Sequence, residues 1–283
     1  NEKSLYFDLG TFNYSAAYHF DDHNGWITSA GLNGMSQDNK NKGAEFLIPE
    51  YHLFDFGAFV YSQKTINKTT LSGGLRYDNR SVDSKEFIEE GETKFSAFRK
   101  NFSNVSATIG ASYAPTKDVT LKANIARGFR APGIPELTSN GAHEGTNRYE
   151  YGDRNLKSET TLQGDVGVEI GTEHLLFSIS AFYNHIDNFI FYSKLSGAQG
   201  GDSLVNAEGT MIPAYKFGQH TADLPGFEAL LDIHPHPLDW LHWENTFSYV
   251  RGRFTEAIGD SKNVPFVPPA KWTSEVKIAL FPK

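Results

Sequence analysis

The stretch TTLQGDVGVEI, residues 160–170, keeps two kinds of chemistry apart. Thr160, Leu162, Gly164, Val166, Val168 and Ile170 form one series; Thr161, Gln163, Asp165, Gly167 and Glu169 form the other. Successive side chains of an extended strand point to opposite faces, so this segment carries one dry face and one wet face. A soluble two-sheet protein hides such a dry face inside, whereas a barrel in a bilayer turns it outward to lipid. Which of the two holds decides what the chain can do.

The alternation recurs along the chain. Val105, Ile109 and Tyr113 alternate with Ser106, Thr108 and Ser112, and Leu71, Leu75 and Tyr77 with Ser72, Arg76 and Asp78. Leu175, Phe177, Ile179 and Tyr183 make another dry face, as do Phe227, Leu231 and Ile233 opposite Glu228, Asp232 and His234. Leu241, Trp243, Phe247 and Tyr249 face away from His242, Glu244 and Ser248, and Trp272, Val276 and Ile278 from Thr273, Glu275 and Lys277. The pattern predicts about eleven strands, at 5–20, 25–36, 51–63, 69–82, 101–114, 119–128, 160–171, 174–192, 222–234, 241–254 and 270–281. Most reach the roughly nine residues that a tilted strand needs to cross a bilayer. The connectors sort themselves as well. Short ones at 21–25, 63–68, 114–118, 171–173 and 235–240 alternate with long ones at 37–50, 83–100, 129–159, 193–221 and 255–269. Short turns at one end and long loops at the other are the pattern of a transmembrane, antiparallel, up-and-down β-barrel. Trp and Tyr at strand ends suit its interfacial girdles.

Composition agrees. Hydrophobic residues make up only 39%, yet there are 22 Phe, 13 Tyr and 26 Gly, a mixture that favours strands and turns. No apolar run approaches the roughly 18 residues of a spanning helix. A net charge of −8 leaves no basic stripe for phosphates, which excludes a nucleic-acid partner. The absence of Cys removes disulfides, thiolate metal sites and cysteine nucleophiles. The chain starts at Asn1 with neither Met nor a signal segment, as expected of a processed or excised piece. Bacterial single-chain barrels have even strand counts, so an odd count leads us to expect part of a larger barrel.

The segment ARGFRAPGIPEL (126–137) closes a strand, because Pro132 and Pro135 cannot donate to a ladder. Arg127 and Arg130 set two cations at the rim, suited either to plain solvation or to holding an anion. FRAPGIPEL followed by RYEYGDRNLKSET resembles the barrel of TonB-dependent outer-membrane receptors. That family carries an Arg-Ala-Pro then Glu-Leu signature and then one like Asn-Pro-Asn-Leu-Lys-Pro-Glu; here the second reads DRNLKSE (153–159), without its prolines. GGLRYD (73–78), AFYNHIDNFI (181–190), DLPGFEALLDIHP (223–235) and VPPAKW (267–272) are similar too, in the family's order. The resemblance implies that residues 1–283 are part of one 22-stranded barrel. It also implies a separate plug, which gates the lumen and couples it to TonB and which this chain lacks. The implied partners are outer-membrane lipid, the energy-coupling TonB protein and a metal-chelate cargo, and the implied location is the bacterial outer membrane.

Between the two signatures lies NGAHEGTNRYEYG (140–152). Some haem receptors of the family carry a ligating histidine in this interval, where His143 stands. A neutral imidazole binds haem iron or zinc, and Glu144 offers zinc an oxygen. Tyr149 and Tyr151 are suited to stack on a porphyrin or a catecholate. His143, Glu144, Tyr149, Tyr151 and Arg130 are therefore the expected cargo contacts, with His143 and Glu144 as metal ligands; His143 as an ordinary polar loop residue stays open beside this. Haem, a ferric siderophore or zinc would be cargo, with no resident cofactor. His234 and His236 fall at a short turn stiffened by Pro235 and Pro237, which makes them weak ligands, and His242 and His185 read as satisfied polar groups near Glu244 and Asp187. No G-x-S-x-G, Walker loop or H-E-x-x-H occurs, so an enzyme is not expected. The competing readings are a passive porin or adhesin barrel and a soluble all-β binding module.

Overall fold

A computed structural model of the chain describes residues 5–279, apart from residues 208, 236 and 239 and the side chain of residue 144. Every alternating segment is a strand. β1 (Phe7–His19), β2 (Trp26–Asn41), β3 (Tyr51–Ile66) and β4 (Thr69–Ser84) come first, and β5 (Phe87–Glu89) and β6 (Glu92–Phe95) form a small separate hairpin. β7 (Phe98–Tyr113) and β8 (Val119–Arg130) lead to the short helix α1 (Ile134–Thr138) and to β9 (Asn140–His143) and β10 (Arg148–Tyr151). β11 (Glu159–Gly171), β12 (Leu175–Lys194), β13 (Leu204–Ala207), β14 (Thr210–Ile233) and β15 (Leu241–Val250) follow. β16 (Arg253–Ile258), β17 (Ser261–Asn263) and β18 (Lys271–Ile278) complete the set.

Eleven of these form one antiparallel meander, β1-β2-β3-β4-β7-β8-β11-β12-β14-β15-β18, within a 16-stranded sheet. Each pairs with its neighbour, as antiparallel strands joined by short turns must. The sheet is open, and β1 and β18 do not pair with each other. The register carries one face intact from strand to strand. Val166 lies opposite Ala123 on β8 and Ala181 on β12, and Ile125 lies opposite Gly164 and Ile109. On this face Val166, Ile125 and Ile109 are 59%, 63% and 75% exposed. No second sheet covers it, so the soluble sandwich is excluded and the dry face looks outward. The opposite face holds the charges. Arg80 Nε and Nη2 donate to the two Asp55 oxygens at 2.7 Å each, and Lys122 reaches Glu169 at 2.8 Å. Arg76 pairs with Asp78 across the spot where Gly57 has no side chain, and a Cβ there would collide with both.

Instead of a central core, three apolar clusters sit where the long loops leave the strands. The first joins Leu47, Ile48, Tyr51, Leu53, Val82 and Ile134; the second Phe102, Ala131, Leu137, Leu156 and Ile190; the third Ala222, Phe254 and Val264. The loops are therefore partly built rather than merely solvated, and several strands run further into them than their alternation indicates. β2 continues to Asn41 and β7 starts at Phe98. The largest departure is β14, which starts at Thr210 where the sequence places a loop until 221. Its first half pairs with β12 beyond a bulge at Ile186–Phe189, where Asn188 takes a φ of 55°. There Ile212, Ala214 and Ala222 are buried under other loop elements while the apolar Met211 is 57% exposed, so polarity does not follow burial and the strand leaves no alternating signal.

An outward face in lipid and an inward face in water make a direct prediction. Val166→Arg should cost roughly 2–4 kcal/mol near the bilayer midplane. Asp165→Asn should cost little, since it keeps an acceptor for the amide of Asn124. Chemical unfolding of the intact barrel in lipid vesicles measures both; equal costs would refute the assignment of faces.

Candidate functional site at the long-loop end

The site grows from the end of β8. Arg130 Nε and Nη2 each donate to Glu159 at 2.8 Å, and Nη1 donates to both oxygens of Glu136 at 2.9 and 2.8 Å. One guanidinium thus ties β8 to the start of β11 and to helix α1, a fork geometry that lysine lacks. Glu136 also accepts the Gly133 amide at 2.6 Å, satisfying an orphan donor of the helix start, and Glu159 accepts the Ile190 amide at 2.5 Å. Pro135 is tolerated because it stands in the first turn. The cation expected to hold an anion from outside therefore already has two carboxylates on it. Arg127, which the register sets on the outward series with Ile125 and Leu162, donates to Asn104 Oδ1 at 2.8 Å and to the Val105 carbonyl.

The chain between the signatures folds back over this clamp. Gly152 lies flat on α1, where a Cβ would strike the backbone of Leu137 to Ser139, and its amide donates to the Ser139 carbonyl at 2.7 Å. Lys157 N donates to Gln219 Oε1 at 2.8 Å while Gln219 Nε2 returns a bond to the Lys157 carbonyl at 2.7 Å. β9 and β10 form a hairpin, and β10 adds in parallel to the first half of β14, with Tyr149 opposite Ala214.

This hairpin distributes the expected cargo residues. Tyr149 and Tyr151, two apart on β10, share a face with ring centroids 4.9 Å apart. Burial raises the Tyr149 phenol above its ordinary range, with Tyr151 and Glu89 adding to the effect, and its hydroxyl donates to Asn140 at 3.1 Å. His143 stands at the hairpin tip opposite Arg148, its Nδ1 3.1 Å from the Thr146 hydroxyl. The backbone of Glu144 opens the single helical turn that follows; its side chain lies outside the described residues. His143 and Tyr149 line one cavity of about 430 Å³ with Phe46, Lys94 and Asn147. Arg130 lines a different one, of about 560 Å³, beside Asp55, Arg76 and Arg80 on the polar face. The tip histidine and the rim arginine are thus apart.

Sequence reading passed over the residue that faces the most aromatic surface. Arg148 donates to Glu150, which is 5% exposed, at 2.6 Å and to the Tyr192 hydroxyl at 2.8 Å. Its guanidinium lies 4.3 Å from the Tyr192 ring centroid and 5.7 Å from that of Tyr215. Tyr192 in turn contacts Phe217 and Phe266, the latter 78% exposed. The available signal was the pair of aromatic runs FIFY (189–192) and AYKF (214–217), whose adjacency only the β12–β14 register reveals.

A meander of long strands with an outward apolar face, a charged inner face and a structured rim fits one family, and the sequence matches it. The family described as TonB dependent receptor-like, beta-barrel, matches residues 2–276. The chain belongs to that family. It is 27% identical over 209 residues to the ferric enterobactin receptor of Pseudomonas aeruginosa, covering 69% of this chain and 25% of that protein. To the TonB-dependent heme receptor A of Haemophilus influenzae it is 25% identical over 248 residues, 82% of this chain and 32% of the relative. The chain therefore spans about a quarter to a third of these relatives. The solved copper transporter OprC superposes with a TM-score of 0.76 at 17% identity, over 95% of this chain and 41% of that one, a likeness of fold.

The clamp is testable by itself. Glu159→Gln keeps the shape but leaves Arg130 one acceptor in place of two on the β11 side, with its bonds to Glu136 intact. Because Arg130 is half-exposed, a discounted cost of about 1 kcal/mol is expected, which is about fivefold faster amide exchange across 131–158. Exchange followed by mass spectrometry should show this with the meander strands unchanged; an effect spread evenly over the sheet would deny the clamp its local role.

Proposed function

We propose that this chain forms part of the barrel of a bacterial outer-membrane receptor that imports a metal chelate, haem or a ferric siderophore, by TonB-dependent active transport. The observation that carries the reading is the cationic aromatic group at the long-loop end, with Arg148 over Tyr192 beside Tyr215, while the Tyr149–Tyr151 pair lines the other face of β10. Haem is a flat aromatic anion through its propionates and a ferric catecholate is an anionic complex that presents planar rings, and arginine over tyrosine rings offers them both charge and stacking surface. That two relatives are named for ferric enterobactin and for heme supports the same class. His143, at the tip of the hairpin and on the wall of its cavity, is the candidate axial ligand for haem iron. Glu144 is its candidate companion should the cargo be zinc. Arg130 serves this site by holding α1 and the hairpin behind it in place. Passage through the lumen would be gated by a plug and driven by TonB, so the protein transports its cargo rather than transforming it.

The test is a titration of the full-length receptor in detergent with haem, followed by its Soret band, with ferric enterobactin, followed by fluorescence quenching, and with zinc, followed by calorimetry. We expect Arg148→Ala to weaken the chelate about tenfold or more. Haem binding lost with His143→Ala would fix haem as cargo, and zinc binding lost instead would move the protein to metal-ion import. A receptor that binds none of the three, or that passes its solute without TonB, would refute the reading in favour of a passive porin or an adhesin.

A further inference from the structure

At the opposite end of the sheet, three side chains gather that the cargo reading does not use. Asp232 and His234 leave the inner face of β14, and His242 leaves the inner face of β15 across the turn between them. The register pairs Asp232 with Glu244 and Ile233 with Trp243, so the next inward positions are His234 and His242. Their rings are stacked, with centroids 5.1 Å apart and planes at 25°. Asp232 Oδ2 lies 3.0 Å from His242 Nδ1 and 3.6 Å from His234 Nδ1. One ligand atom from each residue lies within 4.8 Å of those of the other two.

Two features set this group apart from ordinary hydrogen bonding. Asp232 Oδ1 and His234 Nδ1 are both shut off from solvent and have no hydrogen-bond partner. A buried acceptor and a buried ring nitrogen left unmade in one place are costly, and among the described residues no side chain relieves them. The adjacent cation, Lys277, is turned to Glu244 at 2.9 Å and to Glu275 at 3.6 Å. The sequence pairs His242 with Glu244; in the structure its partner is Asp232. His236, the other histidine of the turn, lies outside the described residues.

We propose that Asp232, His234 and His242 form a binding site for a divalent transition-metal ion of the zinc class at the short-turn end of the barrel's inner wall. Two imidazoles and one carboxylate are a borderline donor set, which takes Zn²⁺, Co²⁺ or Ni²⁺ in preference to the oxygen-seeking Ca²⁺ and Mg²⁺. Metal–ligand bonds of about 2.0–2.2 Å in a tetrahedron put neighbouring ligand atoms about 3.3 Å apart, between the two separations found around Asp232 Oδ2. A fourth position is left for water. His242, 42% exposed at its side chain, gives the ion a route in, while Asp232 and His234 at 16% and 23% supply the dry wall behind it. An ion here ties the ends of β14 and β15 together across residues 234–240 and gives His234 Nδ1 the partner it otherwise lacks.

The experiment uses the full-length receptor, stripped with a chelator and titrated with Co²⁺ as a visible probe, then with Zn²⁺ in competition. The expected result is one equivalent of Co²⁺ with the intense visible bands of four-coordinate geometry, displaced by Zn²⁺. His234→Ala and His242→Gln should each abolish those bands or weaken binding by about tenfold or more. The glutamine variant can still donate to Asp232, so it separates loss of a ligand from loss of a hydrogen bond. Heat-modifiable mobility on gels verifies that each variant barrel is folded. Unchanged cobalt bands in both variants, or a folded wild-type receptor that takes up no Co²⁺, would overturn the site. His143→Ala serves as the control: it should leave these bands intact whatever it does to cargo binding, so failure of this site and failure of the transport reading are told apart.

Discussion

The backbone ladder running without interruption through eleven strands is the constraint from which everything else follows. In a hydrocarbon medium each unpaired N–H or C=O costs several kcal/mol, so a spanning sheet must pair every strand with its sequence neighbour and keep its register. Once Val166 is opposite Ala123 and Ala181, every residue of even or odd position is committed to lipid or to lumen. The ion pairs Asp55–Arg80, Lys122–Glu169 and Glu244–Lys277 all fall on the inner face for that reason. They are consequences of register more than sources of stability, since pairs this exposed contribute little.

A ladder of this kind fixes the wall and leaves the ends to be built separately. At the long-loop end the problem is to hold some thirty residues between β8 and β11 in one shape above an open lumen. The solution is local and polar. Arg130 grips Glu136 and Glu159, Gly152 lies against α1, and β10 borrows the edge of β14 for a parallel pairing. Leu137 and Leu156, 1% and 2% exposed, then bury themselves in the gap left under the fold-back. Arg148 and its tyrosines stand on that platform, and so a site on a loop acquires the rigidity of the barrel rim. At the other end the short turn at 234–240 needs no platform, and the side chains of Asp232, His234 and His242 are brought together by the strands alone.

The strands were legible because half-exposed β structure writes its environment into every second residue. Alternation around Thr160, Val105 and Leu241 placed those strands within a few residues. It failed in β14 before Ala222, where Ile212 and Ala214 are buried but the exposed positions include the apolar Met211, so no period-two signal survives in polarity. The five expected cargo residues were legible only as a composition of useful side chains in one loop. Their spacing along the chain left open that Tyr149 and Tyr151 would share a face, that His143 would sit beside Tyr149 on one cavity wall, or that Arg130 would spend its donors on two glutamates.

By itself, then, the sequence determined the all-β class, the meander, the sorting of short turns from long loops and which residues face outward, because each of these depends on neighbours one or two positions apart. Only the tertiary structure decided which loop residues meet. Arg148 reaches Tyr192 from 44 positions away, and Arg130 reaches Glu159 from 29. His242 turns to Asp232 in preference to Glu244, two residues along its own strand. Such contacts are set by strand register and by the folding back of a loop, and both are properties of the whole ladder rather than of any local stretch of chain.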